Sequence, residues 1–150
     1  MLKTPKYRSP YGLIQEDFRD EPWKLLICCI FLNLTNIKQV RSIIWEFFRL
    51  YPDADAASRA DQLSLATLLK PLGLYNRRSK MIIRFSEAYA RGGWCDVKKL
   101  PGIGTYASDS YEMFIIGNLN VEPTDSKLKT YKEWVLGREY ASWNEMHQNP

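Results

Sequence analysis

The chain has 150 residues, 45% of them apolar, and 21 Lys and Arg against 17 Asp and Glu leave a net charge of +4. That length sets one domain, or two small lobes sharing a core, and it buries enough surface that no covalent staples are needed. The longest apolar run, Leu25 to Leu32, falls well short of the about twenty residues of a membrane span, and the N-terminus lacks the apolar stretch of a secretory signal.

The three cysteines, Cys28, Cys29 and Cys95, supply neither a disulfide framework nor an iron–sulfur ligand set, and they read as a reducing compartment. The single histidine, His147, stands beside the C-terminus, which argues against zinc and against Ser–His–Asp or Cys–His catalysis. Chemistry must rest on carboxylates, amides, tyrosines and backbone groups. The mild positive charge tolerates an anionic partner without demonstrating one.

The predicted elements are all helices. Residues 22–33, PWKLLICCIFLN, open on Pro22 after Asp20 and Glu21 and are apolar nearly all round, as a buried central helix must be. Asn36 caps a second helix, in which Ile37, Val40, Ile44, Phe47 and Phe48 keep helical spacing until Tyr51-Pro52. Asp53 or Asp55 starts a short helix through Arg59, and Asp61 caps another that Pro71 and Gly73 close. The stretch from Asn76 places Met81, Ile82, Phe85 and Tyr89 on one face, and Gly92-Gly93 stop it. Asp96 opens a single turn, Pro101 to Gly104 form a tight hairpin, and a further helix runs to Gly117. Residues 118–123 read as extended, Thr124 or Asp125 caps a last helix to Gly137, and the tail is polar and aromatic. No alternating strand pattern and no repeat stand out, so the fold class is all-α.

Leu100-Pro101-Gly102-Ile103-Gly104 is the most informative stretch. Its glycines permit positive φ and close approach of another backbone. Gly104 lies at the mouth of the next helix, where free N–H groups meet phosphate oxygens. Ile103 packs inward, and Lys98 and Lys99 add charge. Pro-Gly-x-Gly alone fits a plain helix–helix connection equally well. The full pattern, with Ser110 six residues after Gly104, resembles the helix-hairpin-helix motif, which grips DNA phosphates without reading sequence.

Asp125 follows Gly104 by 21 residues, in Val121-Glu122-Pro123-Thr124-Asp125-Ser126-Lys127-Leu128. In isolation it is a helix cap. Together with the hairpin it resembles the endonuclease III-like superfamily of DNA glycosylases, whose hairpin is followed at about this distance by a catalytic aspartate. Gly73-Leu74-Tyr75-Asn76 with Lys80 and Ile82 fits the same pattern. Within the superfamily the chain is most similar to the catalytic domain of the methyl-CpG-binding-domain thymine DNA glycosylases. Arg8-Ser9-Pro10-Tyr11, Leu13-Ile14-Gln15-Glu16, Asp20 to Ile27, Ile30 to Asn33 with Thr35, and Leu69 to Tyr75 carry that likeness. So do Tyr106, Asp109-Ser110-Tyr111, and Asp125 with Lys127, Leu128, Tyr131 and Trp134.

The resemblance implies a two-lobed fold with a central buried helix and a DNA-binding cleft. Residues 22–116 would form one lobe, and residues 1–21 with 117–150 the other. Asp125 would be the catalytic carboxylate that stabilises an oxocarbenium-like sugar and activates water. Tyr106 stands where the strand-cutting members carry a Schiff-base lysine, which predicts a monofunctional enzyme leaving an abasic site. It either lines the pocket or packs beneath the hairpin. Gln15 and Leu32 would line the base pocket, with a surface helix residue as the plain alternative for Gln15. Asn33 and Leu34 would form the wedge, Leu34 replacing the family's arginine with an apolar side chain. Gly102, Ile103, Gly104 and Lys127 would hold phosphates.

Arg77, Arg78, Lys80, Arg84, Lys129 and Lys132 are further candidates for phosphate contacts, or simply solvate helix faces. Carbonyls of Lys98, Leu100 and Ile103 would suit a monovalent cation, Na+ or K+. No other cofactor and no iron–sulfur cluster are expected, nor is a methyl-CpG-binding domain within 150 residues. The expected partner is double-stranded DNA with a mismatched or damaged base, bound by a monomer away from membranes. The location follows the DNA, nuclear in a eukaryote and cytoplasmic in a bacterium. A glycosylase for another damaged base, a non-catalytic helix-hairpin-helix module and an all-α interaction domain remain the alternatives.

Overall fold

Helix α1 (Pro22–Leu32) is the element around which the others pack. In the computed structural model, which describes residues 2–33 and 35–148, Leu25 through Phe31 are buried without exception. With no polar face, the helix must be covered on all sides. Pro22 starts it where a missing N–H costs nothing.

Helix α2 (Ile37–Leu50) lies against α1 through Val40, Ile43, Ile44, Phe47 and Phe48, and Asn36 caps it by accepting the Gln39 N–H at 2.9 Å. Aspartates cap the next two helices, Asp53 for α3 (Ala54–Ser58) and Asp61 for α4 (Gln62–Leu69). Gly73 and Leu74, both at positive φ, turn the chain into α5 (Tyr75–Arg91), which packs on α3, α4 and α1. The Trp23 indole donates to Ser86 Oγ at 3.2 Å and ties α1 to α5. The hairpin leads into α6 (Thr105–Tyr111), which packs on α1 and continues through a π-helical turn, Glu112–Ile116, to Gly117.

The fold is all-α: among the described residues there is one isolated antiparallel bridge, Lys3 to Asn118, and no named strand. Around that bridge Thr4 N–H donates to Gly117 O at 2.8 Å and Leu119 N–H to Leu2 O at 2.9 Å, so the N-terminal segment is fastened to the chain entering α7. Helix α7 (Ser126–Gln148) runs well past the expected stop at Gly137. Residues 138–148 contain no proline or second glycine to end it. His147 stacks on Trp143 four residues back, with ring centroids 4.2 Å apart, a pair that helical spacing brings to one face.

In the hairpin, Ile103 and Leu100 are buried, as the apolar side of a tight turn should be. Gly102 takes φ +79°, and a Cβ there would sit 2.8 Å from Met81 Sδ. Only this glycine needs the left-handed region: Gly104 is extended, with φ −96°, and serves as the N-cap of α6. Gly102→Ala should therefore cost about 1–2 kcal/mol from backbone strain alone, read as a lower midpoint in urea unfolding, whereas Gly104→Ala should cost less.

The N-terminal loop is pinned by two carboxylates. Glu16, itself buried, accepts Ser9 N–H at 2.6 Å, Ser9 O–H at 2.8 Å and Leu13 N–H at 3.0 Å. Asp17 accepts from Arg8 at 2.6 Å and Arg41 at 2.9 Å. Burial pushes the Asp17 carboxyl up, but the two guanidinium groups outweigh it and hold the group below the usual carboxylate range. The folded state thus binds this proton less tightly than the unfolded chain. The resulting stability is present above about pH 4 and is lost as pH falls through the folded value. Asp17→Asn should cost about 1–2 kcal/mol at pH 7, and its difference from wild type in thermal unfolding should shrink below about pH 4.

Candidate active site

A cleft of about 670 Å3 opens where the loop before α1, the C-terminal end of α1, the hairpin with the start of α6, and the start of α7 converge. Gln15, Leu32, Asn33, Gly102, Gly104, Tyr106, Asp125 and Lys127 all line it, although they come from distant parts of the chain. Ile103 and Leu100 instead turn into the core, and the Leu100 carbonyl accepts the Ile103 N–H at 3.3 Å. Lys98 is exposed on the turn before the hairpin. Leu34 lies outside the described residues.

Gln15 belongs to a short helical turn, Ile14–Asp17, and is only 2% exposed. The surface alternative for it is therefore set aside. Glu16 and Asp17 fix that turn from behind, so the Gln15 amide is held at the cleft wall. Its Nε2 donates to Tyr106 Oη at 2.8 Å and to Ser110 Oγ at 3.1 Å. Tyr106 is in the first turn of α6, and its phenol is pushed up by burial, with Cys29 close by adding to the effect. It stays an O–H group, with its proton not needed by Gln15.

Ser110 and Cys29 were not anticipated as parts of the site. Cys29 lines the cleft from α1, and burial pushes its thiol up to about 12 while the neighbouring Ser110 hydroxyl lowers it. It is an inert thiol at neutral pH. The signals in the sequence were present but mute: a cysteine in an apolar run, and a serine closing the hairpin pattern.

Asp125 is the N-cap of α7. Its Oδ1 accepts the N–H groups of Lys127 and Leu128, both at 3.0 Å, and its backbone carbonyl accepts the Lys129 N–H at 3.0 Å. Oδ2 makes no protein hydrogen bond among the described residues and is available at the cleft wall.

The cations divide into two sets. Arg78 is 6% exposed and donates to the carbonyls of Leu72, at 2.9 Å, and of Asn33. Lys132 donates to Val121 O at 2.7 Å and pairs with Glu122. Both are internal ties and not the free phosphate contacts that the charge pattern suggested. Arg77 and Lys127 line the cleft and are exposed, and Lys80, Arg84 and Lys129 are exposed elsewhere. Among the described residues no group of three or more His, Cys, Asp or Glu side chains is placed to hold a metal ion. Cys28 and Cys29 are buried and Cys95 is exposed, so no four-cysteine set exists for a cluster. No described helix is long and apolar enough to cross a membrane.

Comparison with known proteins agrees with this architecture. A methyl-CpG-binding domain protein 4-like protein of Arabidopsis thaliana is 40% identical over 129 residues, covering 85% of this chain and 29% of that protein. A thymine/uracil-DNA glycosylase of Pyrobaculum aerophilum is 34% identical over 95 residues, covering 59% of this chain and 41% of that protein. A thymine-DNA glycosylase of Aeropyrum pernix is 31% identical over 125 residues, 78% of this chain and 55% of that protein. The chain thus spans between 29% and 55% of the length of these relatives. The solved structure of a thermostable thymine-DNA glycosylase matches with a TM-score of 0.62 at 23% identity, over 68% of this chain and 51% of that one, which is a likeness of fold. The profile of the HhH-GPD superfamily base excision DNA repair proteins matches residues 27–142, and the chain belongs to that superfamily.

Proposed function

We propose that this chain is a monofunctional DNA glycosylase, which hydrolyses the N-glycosidic bond of thymine or uracil mispaired with guanine and leaves an abasic site. The observation that carries the proposal is the meeting of Asp125, Tyr106, Gln15 and the hairpin in one cleft. A plain DNA-binding module needs the hairpin but has no use for a buried amide and a phenol facing a carboxylate across a cavity.

Cleavage of the bond builds positive charge on the deoxyribose. Asp125 stabilises that charge and orients the attacking water. Its Oδ1 is already held by two backbone N–H groups, so Oδ2 meets the sugar without reorganising. The pyrimidine leaves as an anion, and the Tyr106 O–H is the donor that receives it, while the Gln15 amide lines the pocket beside it. Tyr106 has no amine, so no Schiff base forms and the strand stays intact. Extruding a base costs a few kcal/mol and is cheapest at a mispair, which favours G·T and G·U over A·T.

DNA would cross between the lobe of residues 22–116 and the lobe of residues 1–21 with 117–150. The backbone of Gly102, Ile103 and Gly104, with Lys127 and Arg77, would hold phosphates. Leu32 would close the base pocket, and Asn33, with Leu34 beside it, would fill the gap in the duplex. The Lys98, Leu100 and Ile103 carbonyls would accept a monovalent cation. The enzyme would act as a monomer wherever the DNA is kept.

A base-release panel over G·T, G·U, A·U and other damaged pairs, with and without alkali, tests the reading. Strand breaks should appear at G·T and G·U only after alkali. Release of a different lesion alone would redirect the substrate, and salt-sensitive binding without any release would make the chain a binding module. Asp125→Asn keeps an N-cap acceptor and removes the charge, so release should fall by about 10²–10³-fold or more while thermal stability and duplex affinity stay near wild type. Tyr106→Phe should slow release about tenfold through loss of one donor to the leaving base, seen in single-turnover rates.

A further inference from the structure

The two ends of the Gln15 amide have opposite hydrogen-bonding character, and in a buried site the end that faces the ligand decides what is accepted. Both Nε2 hydrogens are used by the protein, one on Tyr106 Oη at 2.8 Å and one on Ser110 Oγ at 3.1 Å. Oε1 has no protein donor among the described residues, yet it is not among their sealed, unpartnered polar atoms. It is therefore left to the cleft that Gln15 lines.

Tyr106 and Ser110 stand four residues apart on α6, on one face of the helix. Ser110 is fully buried and lies against Cys29 of α1 on its other side. Its hydroxyl is out of reach of a bound base and can act only through Gln15.

We propose that Ser110 is a positioning residue which turns the Gln15 carbonyl toward the ligand, so that the pocket requires an N–H on the pyrimidine edge. This rests on the glycosylase reading above. With Nε2 held inward, Oε1 meets the N3–H of thymine or uracil. Tyr106, already accepting from Gln15, gives its own proton to a pyrimidine carbonyl. Cytosine presents an unprotonated N3, and Oε1 then faces a lone pair. Without Ser110 a single phenol faces the amide, and because a phenol both donates and accepts, it bonds either end. The amide can then turn over and offer N–H to an acceptor edge.

Single-turnover release of 5-fluorouracil and of 5-fluorocytosine, each opposite guanine, tests this, since fluorine activates both leaving groups and the edges differ at N3 and C4. Wild type should strongly prefer 5-fluorouracil. Ser110→Ala should slow release of 5-fluorouracil about five- to tenfold and raise that of 5-fluorocytosine, with unchanged duplex affinity and an unaltered unfolding midpoint. Ser110→Thr, which keeps the hydroxyl, should retain the wild-type preference. Equal loss on both bases, no loss at all, or loss on 5-fluorouracil without gain on 5-fluorocytosine overturns the role of Ser110 while leaving the glycosylase reading intact. A wild-type protein that releases neither base overturns both.

Discussion

Residues 25–31 of α1 are buried on every side, and this sets the geometry of the rest. A helix without a polar face has to be surrounded, so α2, α5 and α6 are drawn around it and the N-terminal turn covers what remains. Its C-terminal end then emerges at a junction of elements, where unpaired carbonyls need partners. Arg78 supplies one by donating to the Asn33 carbonyl while also holding Leu72. Desolvation lowers the Arg78 pKa, yet a guanidinium keeps its charge in any case. The cleft lies beside this end, and Cys29, Ile30, Leu32 and Asn33 line it from α1 and the residue that follows.

The second constraint is the loop that leads into α1. A buried carboxylate is costly unless its oxygens are satisfied. Glu16 answers with two N–H groups and one hydroxyl, and Asp17 with two arginines. The outcome is a rigid turn in a segment that would otherwise be a loose terminus. Gln15 immediately precedes these anchors in the same helical turn, so its amide is positioned by charges that do not line the cleft. Rigidity of this kind is what a group needs if it is to distinguish donor from acceptor on a ligand.

Much of the fold was legible because its signals are local. Asn36, Asp53 and Asp61 cap the helices that their positions announce, and the all-round apolar run identifies the central helix. The end of α7 was not legible, since Gly137 looks like a stop and the stacking that sustains the helix depends on Trp143 and His147 meeting. The candidate site was legible where the hairpin pattern and the resemblance reached, at Gln15, Tyr106 and Asp125. It was illegible at Ser110 and Cys29, because their contribution is a hydrogen-bond arrangement among residues 81 or more positions apart in sequence for Cys29 and Ser110 and 95 apart for Gln15 and Ser110. Charge was the least informative feature. Arg78 and Lys132 look no different in the sequence from Arg77 and Lys127, and only burial separates structural ties from residues free to meet an anion.

Asp125 serves both the fold and the cleft. As an N-cap it satisfies the first amides of α7, and that fixes the helix start beside the hairpin. The same hydrogen bonds fix the carboxylate, and one oxygen does the structural work while the other is left at the cleft. A carboxylate on a flexible loop would have to be immobilised when the sugar becomes cationic, at a cost in free energy during the reaction. Here the carboxylate is already ordered on folding, and on the glycosylase reading this is how a preorganised group would lower the barrier. On the glycosylase reading, the lone negative charge would also let the chain manage without histidine in this cleft: cation stabilisation asks for a fixed negative charge, and the donor to the departing base would be a phenol whose proton does not titrate near neutrality.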